Sequence, residues 1–289
     1  MFDPRDEARD RNGPEGGRAR VYDERDRDDD PREGLMRDID LPRGDELELV
    51  AVRDRVYELD GEDSRTLAAV GAFRVVPEHD LDIGHETLDH LRDEGLVETV
   101  DLGDDERGLT LTREGRDLLD SHSLDRGDEP AQNFYAGASR EREVEHDSNL
   151  YTTYRQEEAR LRDEHGGLEI RRVVLDHDLK REYQEFLQEH NRGRSDSDGR
   201  PDRDEYEIRE WARQHDLPYF DGQVHFPDYR IEYEVDGREH HQDVELFTEH
   251  YRGAHAASYA STGFRIYVVG TRGGGGRSTP HPRHMEEFL

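Results

Sequence analysis

The chain has 289 residues, no cysteine, 31% hydrophobic and 39% charged residues, and a formal net charge of −32. Without cysteine, disulfides, thiolate metal sites and thiol catalysis are excluded. No apolar run approaches the roughly 20 residues of a membrane-spanning helix, and no charged, apolar and small-residue signal opens the chain, so a cytoplasmic protein without a membrane partner is expected.

Lys180 is the single lysine; every other basic side chain apart from histidine is arginine. Arginine in place of lysine, with heavy Asp and Glu, suggests GC-rich coding and a salt-loving host, where salt screens the self-repulsion. The alternative is that the acid repels nucleic acid and marks a different kind of partner.

Residues 1–44 are Asp, Arg, Gly and Pro without periodicity and read as a disordered charged arm. Residues 48–59 alternate loosely and predict a strand pair around Arg53-Asp54-Arg55. From Asp63 the pattern turns helical, with Leu67, Val70 and Gly71 on one face and Asp63 or Ser64 as the cap. Pro77 opens a short helix over Pro77–Leu81. Gly84 precedes a third helix with Leu88, Leu91 and Leu96 inward, and Gly95 ends it. Leu96–Val100 and Leu109–Thr112 predict a hairpin with a polar tip at 103–108, and Thr112 caps a last helix over 113–119.

Residues 122–148 read as a polar linker. Two helices, Leu150–His165 and Asp178–His190, flank a strand over Glu169–Asp176, and Gly193–Arg203 is a loop. A helix over Asp204–His215 carries Ile208, Trp211 and Ala212. Strands at about 229–235 and 239–246 meet at Asp236-Gly237, a hairpin dipeptide. A helix over Thr248–Ser261 and a buried strand over Phe264–Val269 complete a domain at 149–271. Residues 272–289 read as a flexible tail. Gly273–Gly276 lacks the Lys-Ser/Thr ending of a phosphate-binding loop.

The chemistry-bearing stretch is Pro227-Asp228 followed by Asp243-Val244-Glu245. Residues two apart on a strand share a face, so Asp243 and Glu245 are expected to converge with Asp228 across the hairpin. Three carboxylates suit a hard divalent cation such as Mg or Mn. This spacing resembles the PD-(D/E)XK nuclease family, which implies Asp228, Asp243 and Glu245 as catalytic and metal-binding positions. Glu245 stands where that family has lysine, and Arg252 is a poor base in its place. The competing reading is a solvated acidic hairpin with no cofactor. His250 and His255, with His240-His241, are either zinc ligands or solvated histidines.

The order of three helices, a hairpin and a closing helix over Asp63–Ser121 resembles a winged helix-turn-helix, with the domain expected at 45–121. "Asp-Glu-Gly-Leu-Val" and "Leu-Thr-Arg-Glu-Gly-Arg-Asp-Leu-Leu" resemble the end of its recognition helix and the exit of its wing. With the Pro-Asp, acid-X-acid and "Thr-x-His-Tyr-Arg-Gly-Ala-His-Ala-Ala" segments downstream, the chain resembles the replication-relaxation family of plasmids and integrative mobile elements. That resemblance implies DNA binding beside a replication or relaxase protein. The expected fold class is α+β: an N-terminal winged helix-turn-helix and a C-terminal α/β restriction-endonuclease-like core.

Duplex contacts are expected from Thr87, His90 and Arg92 on the recognition helix, Arg107 in the wing and Arg113 at its exit. Between Asp45 and Asp120 stand 23 acids against 8 arginines, a field that opposes phosphate. Three functions follow: a DNA-binding accessory protein with an inactive nuclease-like domain, a Mg- or Mn-dependent nuclease or nickase, and a winged-helix protein-interaction module.

Overall fold

The computed structural model describes residues 30–127, 129–138, 141–192, 203–248, 262–269 and 280–283, in a mixed α+β arrangement. Strands β1 (Glu48–Val52) and β2 (Arg55–Leu59) pair antiparallel around Arg53 and Asp54. Alternation sorts their faces: Val50, Val52, Tyr57 and Leu59 are buried, and Leu49 and Val56 are exposed.

Helix α1 (Gly61–Phe73) starts before the expected cap. The Asp60 carboxylate accepts from the amides of Glu62 and Asp63, and the Asp63 carboxylate accepts in return from the Asp60 amide. This reciprocal box satisfies amides that a start at Asp63 would leave open. The helix is buried on nearly all sides, from Leu67 to Phe73. A Cβ on Gly71 would lie 2.8 to 2.9 Å from side-chain carbons of Phe134, Leu111 and Leu119, so a larger residue there would have to displace them.

The short helix expected over Pro77–Leu81 is instead strand β3 (Val76–Pro77) and one 3-10 turn at Glu78–Asp80. Val76 pairs with Leu109, and this pairing competes successfully with a helix one turn long. Helix α2 (His85–Asp93), β4 (Val97–Gly103), β5 (Glu106–Leu111) and α3 (Arg113–Ser121) follow, with sheet order β3-β5-β4. Thr112 Oγ1 accepts from the Gly115 amide at 3.1 Å and caps α3.

Two expectations, a disordered arm and a linker, are corrected on either side of this block. Within the arm expected over 1–44, Leu35, Met36, Ile39 and Leu41 are buried in the core, and residues 1–29 lie outside the described ones. The segment expected as a linker at 122–148 is packed. Ser123 bridges to Ile39, Phe134 is buried, and helix α4 (Glu141–Glu164) begins nine residues before Leu150. Val144 extends its apolar face against Val75 and Leu102.

Strand β6 (Glu169–Leu175), α5 (Asp176–Gln188), α6 (Glu205–Gln214), the small pair β7 (Tyr219–Phe220) and β8 (Gln223–Val224), and strands β9 (Tyr229–Val235), β10 (Arg238–Thr248), β11 (Arg265–Val269) and β12 (His281–Arg283) complete the chain. The five-stranded sheet has the order β12-β11-β10-β9-β6, with β10 and β11 parallel and its other neighbours antiparallel. The helix expected over Thr248–Ser261 falls at 249–261, outside the described residues, as does most of the loop at 193–203. Within the tail expected at 272–289, His281–Arg283 is a strand on β11, because Ile266 and Val268 offer an open edge.

Strand β6 is the other edge of this sheet, and the Gln132 side chain covers part of it. Its amide oxygen accepts from the Val173 amide at 2.8 Å, and its nitrogen donates to the Val173 carbonyl at 2.9 Å.

One apolar core runs from Leu35 to Tyr267 and joins the two expected domains. Phe73 of α1 meets the rings of Tyr151 and Tyr154 of α4 and Tyr229 of β9 at 5.3, 4.9 and 6.2 Å. The described residues from Pro31 onward accordingly form one compact unit. On the opposite sheet face Val174 packs with Leu179, Trp211, Ala212, Leu217 and Val224. Among the described residues no helix is long and apolar enough to cross a membrane.

Candidate functional site

The turn at Asp236-Gly237, with φ of 52° and 73°, fixes the β9–β10 register. Tyr229, Ile231, Tyr233, Val244 and Leu246 join the long core. By alternation Arg230, Glu232, Asp243 and Glu245 take the other face.

Asp243 lies opposite Arg230. Arg230 Nε donates to Oδ1 at 2.6 Å and Nη2 to Oδ2 at 2.9 Å. Its remaining donors reach the carbonyls of His215 at 2.8 Å and Asp216 at 3.2 Å, just past α6. Both residues are buried. The planar guanidinium matches the carboxylate in a two-point contact that lysine cannot make.

Asp228 is engaged differently. Its Oδ2 accepts from the Leu246 amide at 2.7 Å, and its carbonyl accepts from the Asp176 amide at 2.9 Å. His146 of α4 places Nε2 3.3 Å from Asp228 Oδ1 and Nδ1 3.4 Å from Asp147 Oδ1. Burial favours a neutral ring, but the hydrogen bonds to Asp147 and Asp228 outweigh it and raise the imidazole to about 10. His146 lies within the expected linker, and nothing in its sequence surroundings marks it.

Of the three carboxylates expected to hold Mg or Mn, Asp228 and Asp243 are engaged by protein partners. Both Asp243 oxygens face a guanidinium, and Asp228 is held by an amide and an imidazolium. Glu245 is half-buried on the Asp243 face. Among the described residues no group of three or more His, Asp or Glu is gathered for a metal ion. Of the histidines considered for zinc, His240 stacks on Tyr233 at 5.6 Å, and His250 and His255 lie outside the described residues.

Two of the expected duplex contacts, Arg92 and Arg107, meet at Glu78, which is largely buried just after β3. Arg92 donates to Glu78 Oε1 at 2.5 Å, and also to Thr99 at 3.0 Å and Asp89 at 3.3 Å. Arg107 lies 3.3 Å from Glu78 Oε2. His90 sits 2.8 Å from the Glu58 carbonyl and 3.5 Å from the Asp63 carboxylate. Thr87 is half-buried. Arg113 is exposed and makes no ion pair with a described residue. The exposed residues of α2 are His85, Glu86, Asp89 and Asp93, and the hairpin tip exposes Asp104 and Asp105. Sequence reasoning found these arginines but not Glu78, which holds two of them.

No family model, curated protein or solved structure matches the chain.

Proposed function

We propose that the protein is a non-cleaving accessory factor that acts by binding a protein partner. In this reading Gly61–Ser121 is a winged helix-turn-helix, with α2 in the recognition-helix place and β4–β5 as the wing. The five-stranded sheet with α4, α5 and α6 is a restriction-endonuclease-like core that has lost its chemistry. The resemblance to the replication-relaxation family supplies the setting: replication or mobilisation of a plasmid or integrative element, with a replication or relaxase protein as partner.

The observation that carries this reading is the charge offered by α2. Arg92 and Arg107 are drawn to Glu78, while Glu86, Asp89 and Asp93 are exposed. Such a face repels phosphate and attracts a basic protein surface. Loss of cleavage is supported by Arg230, which supplies the positive charge against Asp243.

Duplex binding is the second reading, favoured by the exposure of Arg113 and by Arg107, whose side chain is 59% exposed. The test is anisotropy of a labelled random duplex with the full chain, from low to molar KCl with Mn, followed by a gel for nicks. No binding and no nicks are expected. Salt-resistant binding that is lost on Arg113→Ala replaces the protein-partner reading with the DNA reading. Nicks that vanish on Asp228→Ala overturn the non-cleaving one.

A further inference from the structure

At the turn end of the β9–β10 hairpin, beyond Glu164 where α4 stops, lies a cavity of about 420 Å³ lined by His165, Val235, Asp236, Arg238 and His240. Its volume falls in the range of small-ligand sites, roughly 300 to 1,000 Å³. Register explains its composition. Tyr233 pairs with His240 and Val235 with Arg238, so these four share one face, while Glu234 and Glu239 pair on the other. The acids of this strand pair are thus turned away, apart from Asp236 at the turn. Glu164 is held by Arg160.

Three features of the lining point to one chemistry. The His165 ring lies 6.2 Å from Tyr233 at 28°, and Tyr233 lies 5.6 Å from His240 at 22°, so the two imidazoles of the lining are each near-parallel to the Tyr233 ring. Arg238 is exposed and makes no ion pair with a described residue, whereas Arg171 and Arg172 of the neighbouring strand hold Glu239 and Glu232. Asp236 supplies the one carboxylate of the lining. Flat rings suit a planar base, a guanidinium suits a phosphate, and one carboxylate suits a sugar hydroxyl.

We propose that this cavity binds a nucleoside monophosphate, with the base against the His165 and His240 rings and Val235, the phosphate on Arg238, and a ribose hydroxyl on Asp236. The site is separate from α2 and from the Arg230–Asp243 pair, and it does not rest on the function proposed above.

Calorimetric titration of the full chain with AMP, adenosine and inorganic phosphate tests it. AMP is expected to bind at one site, and more tightly than either fragment. Arg238→Ala is expected to weaken AMP about tenfold, the effect of removing one charged hydrogen-bonding group. His240→Ala, also at an exposed position, is expected to weaken AMP while leaving phosphate binding unchanged. Thermal melts that match the parent establish that each variant is folded, and Arg238→Lys, with partial loss, serves if Arg238→Ala is not. No AMP binding at millimolar concentration overturns the proposal. Phosphate binding as tight as AMP overturns it too, as does AMP binding that neither variant alters.

Discussion

Arg230 and Asp243 meet side-on across the β9–β10 hairpin, two nitrogens against two oxygens at 2.6 and 2.9 Å, inside the protein. A buried pair of this kind is expensive to break by halves, because the remaining charge has no water to turn to. Arg230→Ala is expected to destabilise the fold by about 3 to 5 kcal/mol, and replacing both residues with methionine and leucine by far less. Denaturant unfolding of the single and double variants checks this. A loss below about 1 kcal/mol in Arg230→Ala would mean that solvent reaches the pair.

Glu78 restrains two cations at once, Arg92 at 2.5 Å and Arg107 at 3.3 Å. Glu78→Gln removes one negative charge and the ion pairs of both guanidinium groups, leaving Arg92 with Thr99 and Asp89. Duplex binding, absent in the parent, is expected to appear at low salt and to fall steeply as salt is added. Anisotropy of the variant beside its parent measures it; no binding by the variant would show that α2 stays too acidic for phosphate whatever Arg92 does.

Asp63 is a buried acid at the start of α1. Burial, then the neighbouring Asp60 charge, raises its carboxyl from 3.8 to about 6, against the Asp60 amide and His90. The folded state therefore holds this proton more tightly than the unfolded chain. Stability rises as pH falls from about 6 towards 3.8, and the penalty is fully present above 6. Asp63→Asn keeps an oxygen for the Asp60 amide and removes the charge. It is expected to stabilise the protein by about 1 to 3 kcal/mol near pH 8 and by little near pH 4. Thermal melts at both pH values decide; an equal gain at both would assign the effect to packing.

Phe73 touches three tyrosines from two later elements. Phe73→Ala is expected to cost about 3 to 5 kcal/mol, and the helices around α1 and the five-stranded sheet are expected to unfold together. Two separated transitions, one near-parental, would contradict a shared core.

The sequence was most legible where alternation and a turn dipeptide coincide. β1–β2, β4–β5 and β9–β10 follow from period two, and Asp236-Gly237 locates the last turn. That turn also contained the answer for Asp243. Counting outward with Val235 opposite Arg238 brings Arg230 opposite Asp243, so the position of the turn by itself names the neutralising partner. The contacts of Asp228 were not, since His146 approaches from a helix whose first turns are polar and resemble a linker. Nor were Leu35 and Met36, because four apolar residues in a charged stretch carry no period.

The Gln132 amide bonds to both backbone groups of Val173 as a neighbouring strand would. An open sheet edge invites other chains to add on, and growth of that kind ends in aggregates. A single side chain plugs the edge at that point without adding charge to a surface already crowded with it. Colloidal behaviour in this acidic protein is thus guarded twice, by repulsion at a distance and by a steric plug at the strand itself, and only the second survives when salt screens the first.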